Sequence, residues 1–176
     1  RSEVFGDDLD LLYPIIENGG SDSAAFDNVL ELLVINKVLT LPQAVMLMVP
    51  EAWQGSEKDP AKVAFYQWAA CLMEPWDGPA LFTFCDGRYC GANLDRNGLR
   101  PCRWVTTNDD IMVCASEVGS VAIPPETITA KGRLRPGRML LVDTVEGRIV
   151  DDRELKSSTA HLADFAAWSG DNTPRF

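Results

Sequence analysis

The chain has 176 residues, 46% of them hydrophobic and 24% charged, with a formal net charge of −10. That length and composition suit one globular domain with a real core and argue against disorder. The acidity argues against a nucleic-acid partner, which needs clustered positive charge. A membrane partner is not expected either, because the longest apolar run, Val38 to Pro50, is broken by Thr40, Pro42 and Gln43.

The first part reads helical. Ser21, Asp22 and Ser23 precede apolar residues at Phe26, Val29, Leu30 and Leu33, one face of a helix, with Asp27, Asn28 and Glu31 between them on the solvent side. Thr40 with Gln43 resembles a capping box, Pro42 suits an early helical turn, and this second helix should end before Pro50. Asp59-Pro60 reads as an N-cap followed by proline, opening a third helix that carries Val63, Ala64 and Cys71 inward.

The cluster Glu74-Pro75-Trp76-Asp77-Gly78-Pro79 ends the helical pattern. Short strands follow: Leu81 to Cys85, Arg88 to Leu94, Cys102 to Thr106 and Ile111 to Cys114. Asp86-Gly87 and Asn97-Gly98 supply the positive φ angles of tight turns. Pro124-Pro125 and Lys131-Gly132-Arg133 read as breaks. Arg138 to Asp143 and Arg148 to Val150 make a last hairpin around Glu146-Gly147, before a tail with a weak helix around His161 to Trp168 and then linker. Helices first and antiparallel strands after give the class α+β.

The chain opens on Arg1 with no secretory or transit composition, and a piece of a longer polypeptide is expected. The five cysteines, Cys71, Cys85, Cys90, Cys102 and Cys114, form no Cys-x-x-Cys pair, and His161 is the single histidine. No metal site is therefore expected in this segment. Reduced thiols, mostly small buried hydrophobes, and a cytoplasmic setting are the expectation, with an organellar one left open.

Gly19-Gly20-Ser21-Asp22-Ser23 leads into the first helix, where free backbone N–H groups attract anions. Asp22 would repel a phosphate. It suits a zwitterion whose ammonium it can pair, while the simpler reading is that Ser21 or Asp22 caps the helix. Arg96, Arg100 and Arg103 have the chemistry to grip a carboxylate, but arginines beside a hairpin commonly brace loops. Ser116-Glu117 lacks a nearby histidine, and Glu117 reads as a structural acceptor. No catalytic role falls on His161. The five tryptophans lack basic interleaving and read mostly as core.

Asp95-Arg96-Asn97-Gly98-Leu99-Arg100-Pro101 followed by Ala115-Ser116-Glu117 resembles the later part of a class II glutamine amidotransferase domain. Gly19 through Asn28, Pro50-Glu51-Ala52-Trp53 and Glu74 through Pro79 bring the wording closest to the glutamate synthase family. The resemblance extends from about Phe5 to Leu155. It implies the later part of an N-terminal-nucleophile αββα sandwich, with residues 1–156 as a partial amidotransferase domain and 157–176 as linker toward the next domain. It also implies a glutaminase that passes ammonia to 2-oxoglutarate for reduction.

By the same resemblance, Asp22 holds the α-ammonium of the substrate glutamine, and Gly20 and Ser21 match that element, Ser21 structurally. The family's chemistry belongs to an N-terminal cysteine that forms a thioester, with oxyanion donors from an upstream Asn-Gly element. Arg1 is not that cysteine, Asn97-Gly98 is not that element, and the segment alone is expected to be inactive. The flavin mononucleotide (FMN) and iron–sulfur cluster implied for the parent enzyme belong to other domains. The partners are glutamine and the rest of the parent chain. An asparagine synthetase or amidophosphoribosyltransferase type of amidotransferase, and a non-catalytic acidic interaction module, are the alternatives.

Overall fold

The computed structural model describes residues 6–55 and 59–172. Two units divide the chain, Arg1–Val45 and Met46–Phe176.

In the first unit a 3-10 turn, Gly6–Leu12, precedes helix α1, Asp22–Ile35. The Ser21 hydroxyl accepts the Ala24 N–H at 3.2 Å, so serine is the cap. Phe26, Val29, Leu30 and Leu33 are half-buried and Asp27 and Glu31 exposed, as the spacing predicts. Asn28 departs from it: half-buried, its Oδ1 accepts the Glu17 N–H at 3.2 Å and ties the preceding loop to the helix. Helix α2 runs Leu41–Met48 and is buried except at Gln43. Gln43 Oε1 accepts the Thr40 N–H at 2.9 Å, which is half of the expected capping box.

In the second unit helix α3, Pro60–Leu72, starts at Asp59, whose Oδ1 accepts the Ala61 N–H at 3.0 Å. Its buried face is Ala64, Phe65, Tyr66 and Ala69. Cys71 is exposed, contrary to expectation, because the last turn projects beyond that face, as Leu72 does at 57% exposure.

The described residues form seven strands: β1 Leu81–Cys85, β2 Tyr89–Leu94, β3 Arg103–Thr107, β4 Met112–Ala115, β5 Ile128–Arg133, β6 Met139–Asp143 and β7 Arg148–Val150. They make two sheets, in the orders β1-β2-β6-β7 and β4-β3-β5. All pairings among the described residues are antiparallel and the strands follow the first three helices, which makes the class α+β. Ala92 and Leu94 from β2 join Cys102 and Leu134, which flank β3 and β5, in one core cluster.

Strand β5 overturns the reading of Lys131-Gly132-Arg133 as a break. Gly132 faces Trp104 across the ladder, and a Cβ there would lie 2.6 Å from the indole. The glycine makes room for an aromatic ring rather than a turn.

The tail also differs from its reading. Helix α4 runs Asp152–Ala160 and ends at His161, and helix α5 begins at Phe165 (Phe165–Asn172). Asp151 caps α4 by accepting the Arg153 and Glu154 N–H groups. Its buried face is Leu155, Lys156, Thr159 and Ala160, too polar a set for hydrophobic spacing to reveal. Phe165 meets Phe65 edge to face at 5.1 Å, and Trp168 lies 5.9 Å from Trp68. Residues 173–176, with Pro174, lie outside the described residues, as does Arg1.

All five cysteines are free thiols. Only Cys102 is fully buried; Cys71 and Cys85 are exposed and Cys90 and Cys114 half-buried, which corrects the expectation that most lie inside. None of the five tryptophans is fully buried, and Trp168 is exposed.

Candidate functional site

The loop before α1 separates two jobs that its sequence leaves merged. Gly19 has φ +83°, a conformation that favours glycine, and the Gly20 N–H reaches Glu17 O at 3.4 Å. Ser21 then takes the capping role, and its hydroxyl also lies 3.1 Å from that of Ser23. Asp22 is the first helical residue, with one carboxylate oxygen accepting the Ser23 N–H at 2.7 Å. Gly20, Ser21 and Asp22 are all exposed. An exposed carboxylate in the first turn, relieved of capping, can accept a charge-assisted hydrogen bond from an ammonium.

The other sequence candidates are dispersed in the second unit. Arg96 donates to Asp77 at 3.0 Å and borders a hollow of about 360 Å³ walled by Trp53, Tyr66 and Trp76. Arg103 and Glu117 border a separate hollow of about 270 Å³ beside β3 and β4. Ser116 is exposed, and His161 is the C-cap of α4, its Nδ1 2.7 Å from Ser157 O. Among the described residues no hydrogen bond or ion pair joins Arg100, Arg103, Ser116 and His161 into one site.

Asp95 carries a role that its sequence did not announce. It is 2% exposed, and its carboxylate accepts the N–H groups of Ala80, Asn97 and Gly98 at 3.1, 2.9 and 3.2 Å. At Gly98, φ is +61° and a Cβ would stand 2.5 Å from Pro136. The Asp95 to Pro101 motif is thus a turn tied from inside that carries the chain from β2 in one sheet to β3 in the other, not the hairpin its sequence suggests.

Glu51, in the Pro50-Glu51-Ala52-Trp53 word, anchors a buried ionic network. Its Oε1 accepts from the Tyr66 hydroxyl at 3.2 Å and its Oε2 from Lys156 Nζ at 3.1 Å. The ammonium of Lys156 also donates to Gly137 O at 2.6 Å and lies 2.9 Å from Asp152 Oδ1. Asp152 accepts in turn from Arg138 at 2.6 Å and from the Met139 N–H at 2.8 Å. Burial pushes the Asp152 carboxyl up, but Lys156, the Met139 N–H and Arg138 outweigh it and hold the group below its ordinary value. Burial, with Glu51 alongside, pushes the Tyr66 phenol far up, so it stays a donor. Glu51 and Lys156 are 105 residues apart, a separation that local patterns cannot reveal.

A family model described as glutamine amidotransferases class-II matches residues 1–168. The chain belongs to the class-II glutamine amidotransferases. It is 67% identical over 96% of its length to a glutamate synthase [NADH] of Schizosaccharomyces pombe and 61% over 96% to that of Saccharomyces cerevisiae. It is 44% identical over 95% of its length to the glutamate synthase [NADPH] large chain of Bacillus subtilis. The chain spans 8%, 8% and 11% of those proteins' lengths. No helix among the described residues is long and apolar enough to cross a membrane.

Proposed function

We propose that this chain is part of the glutaminase domain of a glutamate synthase, hydrolysing glutamine to glutamate and ammonia for reductive transfer to 2-oxoglutarate. The identity to glutamate synthases supports that parent over an asparagine synthetase or amidophosphoribosyltransferase. In this reading Asp22 holds the glutamine α-ammonium. Ser21 fixes the first turn, and Gly20 leaves its approach open. The observation that carries the reading is the exposed Asp22 carboxylate beside a helix start that Ser21 already caps.

The nucleophilic cysteine and its oxyanion donors belong to other residues of the parent chain. None of the five cysteines here matches that nucleophile, and these 176 residues alone release no ammonia from glutamine. The partners are glutamine and the remaining domains, in a cytoplasmic setting. FMN and an iron–sulfur cluster serve the reductive step in those domains. Among the described residues no group of three or more histidine, cysteine or acidic side chains is gathered to hold a metal.

The test is Asp22→Asn in the complete enzyme, assayed with glutamine and with free ammonia. An amide keeps the volume and removes the charge. The loss is on the order of 2–3 kcal/mol for a charge-assisted hydrogen bond, roughly one to two powers of ten in kcat/KM for glutamine. Ammonia-dependent synthesis stays unchanged. Asp27→Asn, exposed on the same helix, is the control. An unchanged kcat/KM for glutamine in folded Asp22→Asn enzyme would leave Asp22 with no substrate role.

A further inference from the structure

The hairpin of β1 and β2 ends in two thiols set face to face. Cys85 pairs with Cys90 in the ladder, and their sulfurs are 3.0 Å apart. Backbone bonds fix which kind of pair this is. The Asp86 N–H donates to Tyr89 O at one end of the hairpin, and the Asp95 N–H to Ala80 O at the other. Counting alternate positions from either end makes Cys85 and Cys90 a non-hydrogen-bonded pair, the kind in which facing side chains come closest.

The turn between them is held firmly. Asp86 Oδ1 accepts the Arg88 and Tyr89 N–H groups at 3.0 and 2.7 Å. Arg88 is clamped on Asp143 at 2.7 Å, and its carbonyl accepts the Thr144 hydroxyl at 2.8 Å. Cys85 is exposed and Cys90 half-buried. The contact with Cys90 and the Gly87 backbone draw the Cys85 thiol below its ordinary value, which favours the thiolate.

We infer that Cys85 and Cys90 form a thiol modification site that reacts with small disulfides and closes into a cross-strand disulfide. The Cys85 thiolate attacks one sulfur of a small disulfide such as oxidised glutathione. The sulfur–sulfur bond of the reagent breaks, one glutathione leaves as thiolate, and Cys85 carries the other. Cys90 gives its proton to solvent and attacks the Cys85 sulfur, and the second glutathione leaves. Two electrons have passed to the reagent, two protein thiols have become one disulfide, and two reduced glutathiones are released. The sulfurs must close from 3.0 Å to about 2.05 Å, a distance that small side-chain rotations cover without moving the ladder.

The molecule contains its own control. Cys102 and Cys114 are also 3.0 Å apart, but Cys102 is fully buried in the core with Ala92, Leu94 and Leu134. Proximity is equal and access is not.

The complete native enzyme is equilibrated with mixtures of oxidised and reduced glutathione, remaining thiols are alkylated, and the digest is read by mass spectrometry. The expected result is loss of alkylation at both Cys85 and Cys90, with a joined product lighter by two hydrogens. Cys102 and Cys114 still carry the alkyl group once the protein is unfolded in alkylating agent. In Cys90→Ser the reaction stops at one glutathione on Cys85, while exposed Cys71 reports general thiol reactivity. Alkylation of Cys85 and Cys90 at every ratio would overturn the inference. Oxidation of the Cys102 pair at the same ratio would do so too.

Discussion

Lys156 and Arg148 are both cations held by carboxylates at close range. Lys156 reaches Asp152 at 2.9 Å and Glu51 at 3.1 Å, while Arg148 reaches both Glu146 and Glu154 at 2.7 Å. By distance alone the arginine is better bound. Their surroundings reverse that order. The Lys156 side chain is 2% exposed, and its three N–H donors meet three oxygens. The Arg148 side chain is 44% exposed, so water and salt compete with each of its bonds. Solvent, not separation, ranks ion pairs.

Lys156→Ala sets the largest expected effect. It leaves Glu51 and Asp152 buried with one cation fewer, a loss of ~3–5 kcal/mol for a broken buried pair. Arg138 lies 2.6 Å from Asp152 and 3.6 Å from Glu51, which puts the loss at the lower end. Urea denaturation followed through Trp53, stacked on Tyr66, measures it. A loss no greater than that of Arg148→Ala would show that burial is not what separates the clusters.

Tyr66→Phe comes next. It removes the hydroxyl donated to Glu51 and should lower stability by about 1.5 kcal/mol, as for a hydrogen bond to a charged group. It also has a pH signature. The folded phenol titrates far above the ordinary tyrosine value of 10.0, so its contribution is complete below pH 10 and is lost as pH rises beyond it. Denaturation midpoints of wild type should therefore decline more steeply above pH 10 than those of Tyr66→Phe.

Asp143 lies between the two clusters in character, a buried carboxylate gripping the half-exposed Arg88. Arg88 first, then the Glu146 and Val145 N–H groups, hold it at about 2, against an ordinary value of 3.8. Its contribution is present above about pH 4 and is lost as pH falls from 3.8 through about 2. Acid titration of Asp143→Asn should show a shallower loss of stability across that window. Arg148→Ala is the smallest effect, with a thermal midpoint matching wild type in moderate salt.

Much of the scaffold was legible because local chemistry and final structure agree. Leu81 to Cys85 and Arg148 to Val150 are strands at the bounds their alternation and turns announce. Ser21 and Asp59 start helices as caps should. The misses occur where a residue answers to a distant partner. Gly132 reads as a breaker until Trp104 is placed over it, and α4 hides because its inward face includes a lysine. At the candidate site the residue types at the helix start suggested the chemistry. Which of Ser21 and Asp22 turns its oxygen toward the Ala24 N–H depends on side-chain rotation, which residue order alone does not decide.

Gly132 under Trp104 has a counterpart in the other sheet, where Gly91 faces Phe84 and a Cβ would stand 2.6 Å from that ring. Each sheet thus contains one aromatic residue whose ring occupies its cross-strand neighbour's side-chain space. At 132 only the indole stands in the way, so that pair changes together or not at all, whereas at 91 the Leu140 backbone oxygen, 2.5 Å from such a Cβ, bars a side chain whatever stands at 84. Alanine at 132 is a clash while tryptophan stands at 104, and acceptable packing once a smaller residue has replaced it. The order in which substitutions arrive therefore decides which sequences descending from this one can still fold.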